Sequence, residues 1–530
     1  MSDQISQLSK RDLLKTIGMI GGSSAVFTAL QGWNLAEASD RKAPPKMATD
    51  GKGKKIIILG AGLAGMVLAL EMSKKGYDCQ ILEAQSYVGG RCQSARKGSV
   101  IEEINSEKQV CNFKDGQYFN YGPWRIPAQH HPTLHYCHSL GVALEPLLNV
   151  SPQAYYYSEN IEGPLKGVPI RQHELEMDRM GNVHELLAKC ADQGRLDDMV
   201  NQEDKEMLLE YLRSTGLIDK KELNYRATQI RGYEEFPSAG EKFGKYSEPY
   251  NLSDVFKITP GAHLENEDHP VTMFQPVGGM DQIPKAMAKA LPRGTITLSA
   301  EVNSIIHSDD GVAITYKNLK NGKEKTIKGD YCISTIPFPV VSKITNNFST
   351  DLVNAIKAPT GAPAFKYGIQ LDRRFWEQDE MIYGGQSLTD IVGHNTMAYP
   401  SSDLHSNKPG VLLGCYIWGG QAARLSNLDL KGREEFVLSV GEKLHPGKFR
   451  QNYSGNAMSI SWHKHKYQLG GWVLWTRRKR ARQLPTVLKG ESRVLFSGNG
   501  IASIQGGWMV GAIEAAWYTM EELDKRVAKG

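Results

Sequence analysis

The stretch "KKIIILGAGLAGMVLALEMSKKGYDCQILEA", Lys54 to Ala84, decides the fold of this 530-residue chain. The apolar run Ile56 to Leu59 predicts a buried strand, and a Gly-x-Gly-x-x-Gly turn follows it directly. An apolar helix, Met66 to Lys74, and a second strand, Asp78 to Leu82, come next, and an acid, Glu83, ends the unit. This order of strand, glycine turn, helix, strand and acid predicts a doubly wound α/β fold that binds a dinucleotide.

Each glycine of the turn has a separate physical task. Gly60 permits the tight turn, Gly62 lets the backbone approach a pyrophosphate, and Gly65 allows close packing of helix on strand. Leu63 and Ala64, within the turn, are candidate cofactor contacts, and the N-terminus of the following helix then faces the phosphates. Glycine turns also occur without ligands, but the complete order of elements favours a nucleotide site over a purely structural turn.

The acid at the end of the second strand favours a ribose over a phosphate. Glu83 stands about 20 residues beyond the glycine turn, where a carboxylate accepts hydrogen bonds from the adenosine ribose, and Ala84 follows it. A carboxylate at this place disfavours a 2′-phosphate on the same ribose.

The next residues, "EAQSYVGGRCQS" (83–94), carry a family resemblance. Glu83 and Ala84 followed by Gly89, Gly90 and Arg91 resemble the flavin amine oxidase superfamily. The resemblance implies FAD rather than NAD, with Gly90 and Arg91 at the FAD diphosphate. On residue chemistry alone, Arg91 could equally form an ion pair at the surface.

Two later segments extend this resemblance. "QPVGGMDQIPKAMAKAL" (275–291) with "ITLSAEVNSII" (296–306) is similar to the family's second FAD segment, in which Val302 would meet the adenine through its backbone. "RVLFSGNGIASIQGGWMVGAIEAAWYTMEEL" (493–523) is similar to the closing FAD segment, with Gly498 at the cofactor.

The closing segment implies further flavin contacts. Asn499 stands where relatives usually carry an acid that bonds the ribityl chain, so this contact is through an amide if it forms. A helix beginning near Trp508 would aim its first backbone amides at the pyrimidine edge of the flavin, namely those of Met509, Val510, Gly511 and Ala512. No cysteine occurs where the monoamine oxidase branch attaches flavin covalently, which implies non-covalent FAD.

The substrate side centres on "YGPWRIP" (121–127), which most closely resembles the L-amino acid oxidases. The resemblance implies that Arg125 grips the α-carboxylate of the substrate, and that Gly122, Pro123 and Trp124 line the flavin site. A planar guanidinium forms a paired, charge-assisted fork with a carboxylate, which lysine cannot reproduce. An internal ion pair with a nearby acid is the alternative for Arg125.

Two strands are similar to the substrate domain of the same family. In "PAFKYGIQLDRRFWEQDEMIYGGQSLTDI" (363–391), Lys366 would hold a water against the flavin, although a strand lysine is usually solvent-facing. In "GVLLGCYIWGGQA" (410–422), Tyr416 would make the second carboxylate contact. One residue is inserted upstream of that tyrosine, so Trp418 is the reserve candidate.

Three more residues complete the pocket that the resemblance implies. The carbonyl of Gly507 would receive the substrate amine, Trp508 would wall the reacting carbon, and Trp462 would add a second aromatic wall against the cofactor. Ordinary packing is the alternative for both tryptophans. His173 and His263 are candidate pocket residues in the insertion, although lone histidines more often serve structure.

The N-terminus predicts export. "SKRDLLKTIGMIGGSSAVFTALQGWNLAEA" (9–38) has a basic start, a short apolar segment and a small-residue end, and it resembles a twin-arginine signal with one lysine substituted. We therefore expect an exported protein, periplasmic or secreted, with a disordered amphipathic tail or a retained anchor as alternatives.

Composition excludes several other classes of protein. The hydrophobic fraction of 40% and charged fraction of 23% indicate a globular chain, and the net charge of +5 is too small to indicate nucleic acid. The basic run 477–482 predicts a solvated loop, with an anion- or membrane-binding patch as the alternative. The cysteines are scattered without a CxxC pair, so no metal site is expected.

The sequence thus predicts an α/β protein with a Rossmann-like FAD-binding domain, a mixed-sheet substrate domain and a helical insertion. The predicted parts are a signal peptide (1–38), a linker (39–53), three FAD-binding segments (54–120, 270–345 and 485–530), a lead-in to the substrate domain (121–147), a helical domain (148–269) and the substrate domain (346–484).

The predicted function is FAD-dependent oxidative deamination of L-amino acids to 2-oxo acids, ammonia and hydrogen peroxide. The alternatives are an amine oxidase whose substrate lacks a carboxylate, a dehydrogenase that passes electrons to a quinone or cytochrome, and, from a different class, a flavin-bound protein without catalytic activity. Expected partners are an L-amino acid, dioxygen and a second copy of the chain in a homodimer. Peripheral membrane contact through the N-terminus or the basic run 477–482 is a further expectation.

Overall fold

The computed structural model describes residues 41–258, 269–502 and 506–528. The predicted signal peptide (1–38) and His263 lie outside the described residues. Within the described ranges, no helix is both long enough and apolar enough to cross a membrane.

A five-stranded parallel sheet forms the centre of the nucleotide-binding domain, and three distant parts of the chain supply its strands. In spatial order these are Ile296–Thr297, Asp78–Leu82, Lys55–Leu59, Tyr331–Ser334 and Val494–Phe496. The predicted α/β class with a Rossmann-like sheet is confirmed.

Both faces of this sheet are covered, which is why its central strand Lys55–Leu59 reads as a nearly continuous apolar run. In the strand Lys55–Leu59, Ile56 and Ile58 pack on one side of the sheet with the helices Leu63–Ser73 and Met509–Val527. Ile57 and Leu59 pack on the other side. That second side is covered by a four-stranded sheet made of Glu324–Gly329, Val312–Asn318, Ala300–His307 and Thr345–Asn346.

The substrate domain is built on a seven-stranded mixed sheet. In spatial order its strands are Tyr453–Ser461, Ala364–Leu371, Gly410–Trp418, Thr396–Ala398, Gln386–Thr389, Tyr155–Tyr157 and Ile170–Arg171. Gln386–Thr389 runs parallel to Tyr155–Tyr157, and the other neighbouring pairs are antiparallel. Helix Leu430–Leu444 packs on the outer face of this sheet.

The helical insertion contains the helices Gln172–Asp192, Gln202–Ser214 and Leu252–Val255. The predicted helical domain 148–269 differs from the structure at its beginning, because the strands Tyr155–Tyr157 and Ile170–Arg171 belong to the large mixed sheet. Both strands are too short to give a local pattern. Tyr155–Tyr157 pairs with Gln386–Thr389, more than two hundred residues away, and Ile170–Arg171 joins the sheet through Tyr155–Tyr157.

Two other predicted boundaries divide elements that pack together. Helix His131–Ser139, in the predicted lead-in 121–147, packs on the nucleotide-binding domain, where the indole nitrogen of Trp517 donates to the hydroxyl of Tyr136 at 3.0 Å. Helices Thr350–Lys357 and Arg477–Lys489, at the ends of the predicted substrate domain, also pack there.

The basic run 477–482 is not the loop that the sequence predicts but the start of helix Arg477–Lys489. The side chain of Thr476 caps this helix by accepting a hydrogen bond from the amide of Lys479 at 3.3 Å. Leu484 and Val487 anchor its inner face, so the basic side chains line a largely exposed face.

The remaining helices are Gln282–Ala290, Phe338–Val341, Phe375–Gln378 and Gly420–Leu425, with 3-10 turns at Arg450–Asn452 and Trp462–Lys464. The remaining strands pair in twos: Leu144–Leu148 with Thr272–Pro276, Thr360–Gly361 with Val473–Leu474, Val100–Ile101 with Gln109–Val110, and Tyr233–Glu235 with Lys245–Tyr246. The strands of the first pair, Leu144–Leu148 and Thr272–Pro276, lie at the two ends of the helical insertion in the sequence and bring those ends together.

Candidate active site

A cavity of about 1580 Å³ runs between the parallel sheet and the large mixed sheet. This volume exceeds the range of roughly 300–1000 Å³ that is usual for a drug-sized ligand, and it suits a dinucleotide together with a substrate. Most of the residues predicted from sequence line it: Gly60, Gly62, Leu63, Ala64, Glu83, Ala84, Gly90, Arg91, Gly122, Pro123, Trp124, Arg125, Val302, Lys366, Tyr416, Trp462, Gly498, Asn499, Gly507, Trp508, Met509 and Ala512.

Three predicted cofactor contacts do not line the cavity. Gly65 serves packing, since a β-carbon there would lie 2.0 Å from the carbonyl oxygen of Gly60. Val510 and Gly511 are buried in the first turn of the C-terminal helix, which presents Met509 and Ala512 to the cavity instead.

The glycine turn places a bare helix end at one end of the cavity. Gly60 has a φ of 103°, which favours glycine, and its amide donates to the carbonyl of Leu82 at 2.8 Å. Gly62 precedes the helix without a side-chain cap, and a β-carbon added to it would meet nothing within 4 Å. The first amides of the helix therefore face open space, as an anion site requires.

Glu83 is fixed beside this turn by backbone amides. Its two carboxylate oxygens accept hydrogen bonds from Ala61 at 2.7 Å and from Gln85 at 2.8 Å. Burial raises the pKa of Glu83, and these amide contacts oppose the rise. The carboxyl group lines the cavity and is held rigidly at the place where a ribose would lie.

Arg91 is a cavity residue and does not form the alternative surface ion pair. Its guanidinium donates to the carbonyl of Gly471 at 2.7 Å, and no carboxylate in the described ranges pairs with it. Burial lowers its pKa to about 10, which leaves it cationic at neutral pH.

The side chains of Asn499 and Trp462 line the cavity, and each is held in place by a hydrogen bond to the backbone. The amide oxygen of Asn499 accepts a hydrogen bond from the backbone of Val473 at 2.7 Å. The indole of Trp462 donates to the carbonyl of Tyr121 at 3.0 Å and stacks on the Tyr121 ring at 5.7 Å between centroids. Both side chains are therefore pre-positioned.

Arg125 lies at the other end of the cavity, and no acidic side chain among the described residues pairs with its charge. Its guanidinium donates to the side-chain oxygen of Asn149 and lies 4.5 Å from the centre of the Trp124 ring. Among the described residues no carboxylate forms an ion pair with it, so the predicted alternative of an internal pair is absent there. Burial lowers the pKa of Arg125 to about 10.

Lys366 points into the cavity rather than to solvent and is only 3% exposed. Its Nζ donates to the carbonyl of Gly122 at 2.5 Å and lies 4.5 Å from the centre of the Tyr416 ring. Burial, and then the nearby charge of Arg125, lower the pKa of Lys366 to about 7. A lysine in this state exchanges protons near neutral pH.

A β-bulge decides which face of the sheet carries Tyr416. The strand pairing skips Gly414, so that the alternation of side chains shifts by one residue. Leu413 and Tyr416 point into the cluster beside the cavity, whereas Leu412 and Cys415 point into the cluster behind the sheet. The bulge accounts for the one-residue insertion seen in the sequence and places Tyr416 directly opposite Lys366.

Tyr416, Trp418 and Trp508 line the same end of the cavity. Burial raises the pKa of the Tyr416 hydroxyl, which the charge of Arg125 partly offsets. Trp418, the reserve candidate, is 46% exposed and packs edge-on against Tyr416 at 5.4 Å between ring centroids. The Trp508 ring lies 5.5 Å from that of His269, and a β-carbon on Gly507 would meet nothing within 4 Å.

Sequence reasoning missed several polar residues here. His269, Gln386, Asn395 and Thr396 all line the cavity. Gln386 follows the glycine pair in the segment that contains Lys366, so the family resemblance could have revealed it. His173 is not a cavity residue; its ring bonds the carbonyl of Ile230 at 2.6 Å.

Several known proteins are similar to this chain. The family model described as flavin containing amine oxidoreductase matches residues 63–522. The protein YobN of Bacillus subtilis (strain 168), provisionally named an L-amino-acid oxidase, is 25% identical over 89% of this chain and 95% of its own length. An L-amino-acid oxidase of Siganus canaliculatus is 24% identical over 89% of this chain and 85% of its own.

Solved structures share the fold at lower identity. Cyclohexylamine oxidase from Brevibacterium oxydans IH-35A has a TM-score of 0.59 at 15% identity, covering 90% of this chain and 99% of its own. Putrescine oxidase bound to putrescine has a TM-score of 0.58 at 16% identity, covering 90% of this chain and 99% of its own.

Proposed function

Because the chain belongs to the flavin-containing amine oxidoreductase family, we propose that this flavin amine oxidoreductase binds FAD non-covalently and oxidises L-amino acids. The observation that carries the proposal is Arg125, a buried guanidinium that faces a cavity without an acidic partner among the described residues. A buried charge without a counter-ion is costly unless a ligand supplies one. The α-carboxylate of an amino acid would be that ligand.

The residues at the glycine turn fit FAD. Gly62 and the open helix end would hold the diphosphate with Arg91, and Glu83 would accept hydrogen bonds from the ribose. When bound, FAD supplies the acceptor for two electrons. Cys92, the cysteine among the described lining residues, donates to the carbonyl of Met280, and burial raises its pKa well above the usual range, which supports non-covalent binding.

Arg125 and Tyr416 would fix the substrate by its carboxylate. The guanidinium fork and the hydroxyl together hold two oxygens, which orients the α-carbon and makes the reaction effectively unimolecular. The carbonyl of Gly507 would receive the amine, and Lys366, with a pKa of about 7, would hold a water and move its proton. Trp508 would exclude bulk water from the α-carbon.

The proposed reaction balances as follows. The amino acid loses two electrons and two protons to become an imino acid, which water converts to a 2-oxo acid and ammonia. Dioxygen takes up the two electrons and two protons and leaves as hydrogen peroxide. The second candidate is oxidation of an amine without a carboxylate, which the fold similarity to cyclohexylamine and putrescine oxidases favours.

The test compares L-amino acids with the amines that remain after their decarboxylation, using peroxide release and, for other acceptors, dye reduction. Arg125→Lys should lower kcat/KM for amino acids by about 10- to 100-fold, since lysine keeps the charge but loses one charge-assisted hydrogen bond of the paired fork, which contributes about 1.5–3 kcal/mol. The amines should react no more slowly with the variant.

Arg373→Lys is the matched control, because Arg373 pairs with Asp379 at the surface and does not line the cavity. An Arg125→Lys enzyme with unchanged kcat/KM for amino acids would overturn the carboxylate assignment. Turnover of the amines alone would favour the second candidate instead.

A further inference from the structure

Asn149 is the residue that touches the guanidinium of Arg125. It follows the strand Leu144–Leu148, and its backbone amide continues the pairing of that strand by donating to Val271 at 2.8 Å. Its side chain is 2% exposed, and the side-chain oxygen accepts a hydrogen bond from Arg125. Asn149 is therefore a rigid, buried acceptor for the charged group.

A second amide fixes Asn149 in this orientation. The side-chain nitrogen of Gln386 donates to the backbone oxygen of Asn149 at 3.0 Å and to its side-chain oxygen at 3.1 Å. The carbonyl of Gln386 in turn accepts a hydrogen bond from Gln172 at 2.6 Å. Two donors then occupy the lone pairs of one amide oxygen, which leaves Asn149 a single arrangement.

The neutrality of Asn149 matters as much as its position. A carboxylate in the same place would form a charge-assisted pair with Arg125 and compensate its charge inside the protein. An amide oxygen satisfies one guanidinium N–H without cancelling the charge. Lys366 adds a second potential cation nearby, so the described part of this pocket favours an anion from outside.

We infer that Asn149 is a positioning residue that orients Arg125 through a neutral oxygen and so reserves its charge for the substrate carboxylate. The inference rests on the proposed function and extends it to a residue that never touches substrate. It predicts that acidity at position 149, rather than loss of shape, is what the site cannot tolerate.

Asn149→Asp tests the inference because it changes charge and keeps shape. We expect KM for L-amino acids to rise about 100-fold with kcat little changed, since the carboxylate contact exists before and during the reaction. The dissociation constant of benzoate, a carboxylate probe followed by titration calorimetry on the holoenzyme, should rise by the same factor. Decarboxylated amines should keep their KM.

Asn149→Ala is the second variant, for the case in which the aspartate enzyme does not fold. It frees Arg125 from its acceptor, and we expect an increase of about tenfold in KM and in the benzoate dissociation constant. Asn321→Asp adds the same charge on an exposed turn and should change neither quantity.

The outcomes separate this inference from the proposed function. Suppose that the wild-type enzyme oxidises L-amino acids and binds benzoate, but that the benzoate dissociation constant of a folded Asn149→Asp enzyme lies within threefold of the wild-type value. The inference on Asn149 is then wrong, while the proposed function stands. A folded Asn149→Ala enzyme with the same benzoate dissociation constant as wild type would also contradict the inference on Asn149. A wild-type enzyme that oxidises only amines and does not bind benzoate would contradict both the inference on Asn149 and the proposed function.

Discussion

The two ends of the cavity differ in the groups that form them, backbone groups at one end and side chains at the other. At the nucleotide end, the contiguous stretch Gly60 to Glu83 supplies the glycine turn, the helix end and the acid, and backbone groups make up much of its surface. At the substrate end, side chains from widely separated segments meet: Arg125, Asn149, Lys366 and Tyr416. A backbone site can be read from a short motif, whereas a side-chain site depends on how the sheets are paired.

The difference also appears in charge. Glu83 is surrounded by amides that stabilise its carboxylate. Arg125 and Lys366 are both buried, and the charge of Arg125 adds to burial in lowering the pKa of Lys366. The nucleotide end thus combines one buried acid with one buried cation, Arg91, whereas the substrate end combines two buried cations whose charge a carboxylate would compensate.

The largest effect should come from adding one methyl group at the nucleotide end. Gly65→Ala places a β-carbon 2.0 Å from the carbonyl of Gly60, and relieving this overlap costs on the order of 3 kcal/mol or more. We expect little folded protein and no bound flavin. The measurements are the Tm and the flavin absorbance of the purified protein.

Gly62→Ala is the matched variant, because a β-carbon there meets nothing within 4 Å of the protein. We expect this protein to fold with a nearly normal Tm and to lose flavin on dialysis, since the methyl group occupies the approach to the pyrophosphate. A Gly62→Ala protein that retains flavin as wild type does would contradict the assignment of this turn.

A smaller effect is expected from the paired cations at the substrate end. Lys366→Met removes a group whose pKa of about 7 arises from burial and from Arg125, so kcat should fall about 100-fold. In wild type, kcat/KM, which reports the pKa values of the free enzyme, should rise through pH 7 as the Lys366 ammonium loses its proton. The variant should lack this inflection.

Lys408→Met is the control, because Lys408 is exposed and pairs with Asp403. Arg125→Met sharpens the test through a different readout, the pH titration of the flavin absorbance. Removing the neighbouring cation should raise the pKa of Lys366 and move the inflection to higher pH. An inflection near pH 7 that survives Lys366→Met would assign it to another group.

The sequence predicts the nucleotide end closely and the substrate end only in part. The strand Asp78–Leu82 agrees residue for residue, and the helix predicted from Met66 begins three residues earlier, at Leu63. Local periodicity and the glycine motif contain this information. Asn149 has no motif, because its role depends on a contact with Gln386, 237 residues further along the chain.

The inserted residue left two candidates in the sequence, Tyr416 and Trp418, for a related reason. Alternation along a strand assigns faces only while the pairing is regular, and one unpaired residue reverses every later assignment. The bulge at Gly414 is such a residue. The family resemblance located the insertion, but the pairing with Ala364–Leu371 and Thr396–Ala398 was needed to place it.

Deleting Gly414 should have the smallest effect on substrate binding, although it shortens the strand that carries Tyr416. Without the bulge residue, Leu413 and Cys415 become neighbours and alternate regularly, so Tyr416 stays on the cavity face. We expect KM for L-amino acids to stay within about threefold, whereas Tyr416→Phe, which removes one hydrogen bond of the carboxylate, should raise it about tenfold.

The deletion should instead lower stability, because the ring of His394 bonds the carbonyl of Gly414 at 2.9 Å. Burial lowers the pKa of His394 to about 4, so the ring is a neutral donor at pH 7, and leaving it unpaired costs about 1–3 kcal/mol. A lower Tm with a preserved KM would show that the bulge accommodates an extra residue. A deletion that raises KM as much as Tyr416→Phe would show that the bulge itself aims the hydroxyl.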